Sequence, residues 1–190
     1  FRYQAEATLP FCLYCALGQE IEAVVPEHLE DIAIELRSGW RFIQIKSRNP
    51  ERGLWRLRDI LADGGALRSL FRMHQQTLDV RATLELLLEG APQPGDLIGH
   101  LCIQGDHRDT ELVRAVAKTL QIDEHDATHF LDRVVLLGPP SPRPGIRDTN
   151  LCLIHEQNPS LDHPTVQQIH ERLIEEIERA MRESTSDSTS

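Results

Sequence analysis

EHLEDIAIELRSGWRFIQIKS, residues 27–47, decides the fold. Polar and apolar residues alternate through its first half, and aromatic and branched residues crowd its second, as in two successive strands. Ser38 and Gly39 between them form the turn of a hairpin. Side chains along a strand point alternately to opposite faces, so Ile43 and Ile45 belong to the core while Gln44 and Lys46 share the other face. Two polar groups on an internal strand are costly to bury unless they are paired or open onto a cleft. Asp31, at the start of the first strand, is expected to be folded back beside the end of the second. Its carboxylate, the Gln44 amide oxygen and the Ile45 carbonyl are hard oxygen donors of the kind that suit Mg²⁺, or Mn²⁺. Lys46 beside them can orient a water and stabilise charge developing on a phosphate. The competing reading has Asp31 capping a turn and Lys46 pairing with Glu27 or Glu30 as a structural ion pair.

Outward from this stretch the pattern is mixed. Residues 1–18 carry apolar residues at helical spacing and stop at Gly18, with Pro10 expected to kink or divide the helix. EIEAVVP gives a strand ending at Pro26. After the loop RNPERG, leucines recur at helical spacing from Leu54 to Gln76, broken at Gly64 and Gly65. VRATLELLLEG is a further strand, and helical patterns return in PGDLIGHLCI, DTELVRAVAKTLQ and EHDATHFLDR. VVLLG is a last strand, GPPSPRPG a proline-rich loop, and HPTVQQIHERLIEEIERAMRES a long amphipathic helix. Strands mixed with helices in this order predict an α/β fold, a central mixed sheet flanked by helices. A single domain is expected over 1–183, with 184–190, which has no apolar residue to pack, as a disordered tail or linker.

The chain of 190 residues is 40% hydrophobic and contains no run long enough to span a membrane and no secretory opening. A cytoplasmic protein is the default expectation. Net charge is −10, which by itself disfavours a nucleic-acid partner. The charge is divided, however: Arg37 to Arg72 holds nine basic residues against three acidic ones, and Leu151 to Ser190 eight acidic against three basic. A local positive surface on an acidic chain follows, or simply solvated helix faces. Within the basic segment Arg41, Arg48 and Arg52 are candidate contacts to a phosphate backbone.

The order of helix, strand, acid, hairpin and then [E/Q]-x-K resembles the PD-(D/E)xK nuclease superfamily, whose restriction-endonuclease-like fold is a mixed sheet flanked by helices. More narrowly, YQAEATL, VVPEHLEDIAIE, FIQIKS and GLWRLRDIL are similar to the double-stranded DNA endonuclease domain of CBASS-type anti-phage effectors, over about the first third of the chain. The resemblance implies that Asp31 and Gln44 are metal ligands and Lys46 the catalytic lysine, with Glu27 a further acid and Gln4 a supporting residue on the first helix. Gln44 stands where the wider superfamily more often has glutamate, and no nucleotide-sensing domain is recognisable. The implied activity is Mg²⁺-dependent hydrolysis of double-stranded DNA with weak sequence preference, gated by oligomerisation or by a partner in a defence complex. The rival is a catalytically degenerate nuclease fold acting as a DNA-binding or assembly module.

Other chemistry is weakly signalled. Cys12 and Cys15 form a C-x-x-C without the second pair that a zinc site needs, and Cys102 and Cys152 sit in apolar strings, so buried reduced thiols are expected. His125 and His129 lack the order of a zinc protease and are expected to be exposed, Ser141 and Ser160 lie in no nucleophile elbow, and no phosphate-binding glycine fingerprint occurs. Trp40 and Trp55 are core anchors or platforms for DNA bases.

Overall fold

The computed structural model describes residues 2–27, 31–102, 109–137 and 143–186, without the side chains of residues 26, 27, 31, 50, 102, 143, 144 and 184–186. In chain order the elements are α1 (Arg2–Ala16), β1 (Ile21–Glu27), β2 (Asp31–Leu36), β3 (Gly39–Lys46), α2 (Leu57–Leu61), α3 (Ala66–Gln76), β4 (Ala82–Leu88), α4 (Thr110–Leu120), α5 (Glu124–Asp132), β5 (Val134–Leu137), α6 (Arg143–Gln157) and α7 (His163–Ser186). The class is α/β, with antiparallel and parallel strand pairs both present, as the sequence predicts. The chain divides into two compact units, one made from both ends (1–37 and 141–190) and one from residues 38–140.

The terminal unit joins the antiparallel pair of β1 and β2 to α1, α6 and α7. The pair runs from Ile21 opposite Leu36 to Glu27 opposite Asp31, with an irregularity between Ile21 and Ala23. Ala5, Leu9, Ile154, Val166 and Ile174 form the core between the three helices. The apolar stripe of α7 is thus used inside the unit. No helix over 143–157 is expected from the sequence, yet α6 occupies it and takes in the end of the proline-rich loop. Ile146, Asn150 and Ile154, spaced four apart and all buried, form its inward row, and the polar Asn150 at the centre hides the periodicity. Cys152 points outward and is exposed, against the expectation of a buried thiol.

Asn150 also explains why Pro10 lies within one continuous α1. Proline has no N–H, so the carbonyl four residues earlier loses its helical donor. That carbonyl belongs to Glu6, and the buried Asn150 Nδ2 donates to it at 2.9 Å. The same nitrogen is 2.9 Å from Glu6 Oε2, which also receives the fully buried His170 Nε2 at 2.8 Å. Burial pushes the Glu6 carboxyl up, but the bonds from His170 and Asn150, with the charges of His170 and Arg2, outweigh it and hold Glu6 below the usual carboxylate range. Next to this cluster Arg2 bonds Glu171 at 2.6 Å and lowers it in the same sense.

The central unit is built on three parallel strands. Lys46 stands opposite Leu88, and Leu86 opposite Leu136. Parallel neighbours need crossovers, supplied by α2 and α3 between β3 and β4 and by α4 and α5 between β4 and β5. Leu84, Leu86 and Leu88 pack with Leu67, Leu70, Val116 and Phe130 in the main core. Two glycines set the ends that matter. Gly39 has φ +143°, and a Cβ there would lie 2.3 Å from the Arg81 oxygen that accepts the Trp40 amide. Gly65 closes the turn into α3, where a Cβ would meet the Ile60 oxygen at 2.4 Å. Arg133 bonds the Thr77 and Ala82 carbonyls and so ties the exit of α3 to the start of β4.

Replacing Asn150 with leucine strands both the Glu6 carbonyl and part of its carboxylate in the interior. A loss of about 2–4 kcal/mol by chemical denaturation is the expected outcome, for two unsatisfied buried acceptors. In Pro10→Ala, which restores the helical donor, the same substitution should cost less. Because Glu6 is held low in the folded protein, its contribution is complete above the unfolded value of about 4.3 and is lost as pH falls through the folded value. Melting temperature should therefore drop on acidification below about pH 4.3, and drop less in Glu6→Gln.

Candidate functional site

The pleat of β3 runs as the sequence predicts, but burial does not follow it, because Gln44 on the other face is as enclosed as Ile43 and Ile45. Ile43 and Ile45 are buried at 0% and 1% exposure, and Phe42, Gln44 and Lys46 share the face that meets the α3 side, where Phe42 packs on the main core. Gln44 is completely buried, whereas Lys46, the last residue of the strand, lines a cavity of about 690 Å³. Open α/β sheets take ligands at the carboxyl ends of their strands, and this cavity lies at that end of β3. Its walls are the loop after β3, with Arg48 and Arg52, the segment Arg58 to Asp63, and the start of α3 at Gly64 to Ala66. Lys46 and three arginines face it against two carboxylates, Asp59 and Asp63. No side chain caps α3 and its first turn holds no acid, so the positive helix end is not offset from within. The arrangement suits a ligand carrying phosphate.

The three predicted arginines occupy different settings. Arg41 projects from the opposite face of β3 to Lys46 and holds Glu85 through two bonds of 2.8 and 2.7 Å. Thr83 completes that group with a bond to Glu85. Arg48 is packed over the Trp55 ring, 4.4 Å from its centroid, and bonds Asp59, Leu54 O and Arg52 O. Arg52 is exposed at the rim. Trp55 is a core anchor, 7% exposed, its indole donating to Glu89 O at 2.7 Å. Arg58 and the Gly64–Gly65 turn line the cavity without having been singled out in the sequence; the signals were the basic run and the paired glycines that interrupt the leucine spacing.

The carboxylate half of the predicted metal set is a different matter. Asp31 and Glu27 face each other across the β1–β2 pair of the terminal unit, and their side chains lie outside the described residues. Among the described residues no three His, Cys, Asp or Glu side chains are placed to hold a metal. The remaining donors fit a hard cation in kind. The Trp40 amide and the Lys46 carbonyl both bond toward β4, so the even positions of β3 use that edge and the Ile45 carbonyl is directed to the other. Gln4 is half-buried on α1, where Thr8 bonds its carbonyl.

The residual candidates stay structural. Cys12 and Cys15 are partly buried free thiols, and burial, with Cys15 beside it, pushes Cys12 up to about 11, which leaves it a protonated thiol at neutral pH. His125 and His129 are exposed.

No protein-family model matches this sequence, and no curated protein matches it. Among the described residues no helix is long and apolar enough to cross a membrane. Solved structures do resemble it in fold. One is the Acinetobacter baumannii Cap4 SAVED/CARF-domain containing receptor with the cyclic trinucleotide 2'3'3'-cAAA, at TM-score 0.57 and 16% identity, covering 94% of this chain and 40% of that one. Another is the Moraxella osloensis Cap4 SAVED/CARF-domain containing receptor, at TM-score 0.54 and 14% identity, covering 95% of this chain and 43% of that one. This chain spans about two-fifths of the length of the receptors it matches, and at these identities the likeness is one of fold.

Proposed function

We propose that this protein is a nuclease of bacterial anti-phage defence, of the CBASS type, that hydrolyses double-stranded DNA with a divalent cation and weak sequence preference. The observation that carries the reading is the place of Lys46, at the carboxyl end of a parallel strand and in a cavity shared with Arg52 and Arg58. The fold likeness to Cap4 receptors supports the defence setting, and the cyclic trinucleotide held by one of them suggests the kind of signal that gates such a system. Gating through a homo-oligomer or a partner in a defence complex belongs to the same reading.

In this reading the donors to Mg²⁺ or Mn²⁺ would be those that the family resemblance implies, Asp31, Gln44 and the Ile45 carbonyl, with Glu27 as a further acid and Gln4 in support. When bound, the cation supplies Lewis-acid polarisation of a phosphate oxygen and a more acidic water. Lys46 places a positive charge where the phosphorane oxygens gain negative charge, and the arginine side of the cavity orients the backbone. Contacts to phosphate carry little sequence information, which accounts for the weak preference.

One observation favours a second reading, a degenerate nuclease fold serving as a DNA-binding or assembly module. Gln44 is wholly buried and does not line the cavity, and it stands where a carboxylate is commoner.

Supercoiled plasmid incubated with the protein should be nicked and linearised in Mg²⁺ but not in EDTA, with cyclic trinucleotide added in parallel samples. Lys46→Ala should slow cleavage by about 10²-fold or more at unchanged melting temperature. Duplex binding without nicking in every sample would support the second reading instead.

A further inference from the structure

The loop over residues 47–56 is held from within. Arg48 has only 12% of its side chain exposed. Its Nη2 donates to Arg52 O at 2.8 Å, and its Nη1 to Asp59 Oδ2 at 3.1 Å and Leu54 O at 3.3 Å, while the guanidinium lies over Trp55. Trp55 in turn is fastened to the segment just after the carboxyl end of β4, its indole to Glu89 O at 2.7 Å and its amide to Ala91 O at 3.0 Å. The Glu89 amide donates to Lys46 O at 2.8 Å. Strand end, tryptophan, arginine and loop carbonyls therefore form one closed path around the cavity wall. Asp59 Oδ2 also accepts the Arg56 amide at 3.0 Å, so its charge is taken up by the loop and by α2.

Arg52 and Arg58 contrast with Arg48. Arg52 is exposed and its side chain makes no ion pair among the described residues; Arg58 is 76% exposed, with Asp59 at 3.7 Å. We propose that the 47–56 loop is a preorganised phosphodiester clamp in which Arg52 and Arg58 contact the phosphates and Arg48 is a positioning residue that touches none. The proposal rests on double-stranded DNA being the ligand. Moving the Arg48 guanidinium onto a phosphate would break three bonds and the stacking on Trp55, and would leave Asp59 facing the anion without its most enclosed cationic partner. Kept in place, it fixes the Arg52 backbone before DNA arrives and lowers the ordering cost of binding.

The test is titration of the protein with a fluorescent DNA duplex in EDTA, by anisotropy, between about 50 and about 200 mM salt. Each phosphate contact contributes about 0.9 to the slope of log K against log salt. Arg52→Gln and Arg58→Gln should each flatten the slope by about that amount. Arg48→Gln should weaken binding about tenfold, a change of about 1.4 kcal/mol, at the wild-type slope. It should also speed tryptic cleavage after Arg52, whose carbonyl is no longer held. Arg48→Lys keeps the charge but not the planar fork, so it should not restore affinity. Should Arg48→Gln not fold, Trp55→Phe, which cuts the bond to Glu89 O but keeps a ring, should give the same unchanged slope and loosened loop. A flattened slope in Arg48→Gln, or rescue by Arg48→Lys, overturns the positioning role. Unchanged slopes in the Arg52 and Arg58 variants overturn the clamp. No duplex binding by the wild type removes the clamp and the DNA reading together, whereas normal binding without cleavage in Mg²⁺ removes only the hydrolase reading.

Discussion

The bond from the Glu89 amide to the Lys46 carbonyl is where the parallel pairing of β3 and β4 ends, and the candidate site depends on it. Pairing fixes which β3 residues bond toward β4 and, through the pleat, which side chains face α3. A slip of one residue would send Lys46 to the face of Ile43 and Ile45 and bring a branched apolar side chain to the cavity. The Arg41–Glu85 pair on that other face opposes the slip, because turning Arg41 toward Leu84, Leu86 and Leu88 would part it from its carboxylate in a buried setting. The Glu89 carbonyl, in the next peptide, then accepts from the Trp55 indole, so strand register and loop conformation are set by one short backbone segment.

The electrostatics of the chain follow from how neighbouring charges are spent. An acidic protein of net charge −10 offers a basic cavity because Asp59 is already engaged by Arg48 and by a backbone amide, leaving outer arginines in excess. On the other face of β3, Arg41 and Glu85 cancel each other in a half-buried pair. Counting arginines along the sequence therefore overstates the positive surface; what matters is which of them have carboxylates within reach.

Much of the fold could be read from short-range pattern. Period-two alternation in β3 anticipated the burial of Ile43 and Ile45 and the exposure of Lys46 to a cavity, but not the complete burial of Gln44, and the Gly64–Gly65 break separated α2 from α3. What could not be read are features whose partners lie far along the chain. Asn150 looks like a helix-disfavouring interruption until it is seen to serve a carbonyl 144 residues away, and α6 was missed with it. His170 carries no local sign of a partner at Glu6, 164 residues distant. Arg48 is the converse case: its partners are close in sequence, but a loop without periodicity gives no clue that an arginine is buried there.

The terminal unit is assembled from residues 1–37 and 141–190, with the central unit intervening. Nascent α1 emerges from the ribosome carrying a proline gap and a carboxylate whose helical donors, Asn150 and His170, have yet to be synthesised. The central unit is contiguous and can form early, whereas the terminal one must wait and then close over a very long loop. Maturation of the terminal unit is therefore paced by synthesis of α6 and α7, and a chain stopped before them keeps its basic cavity while α1 lacks its partners.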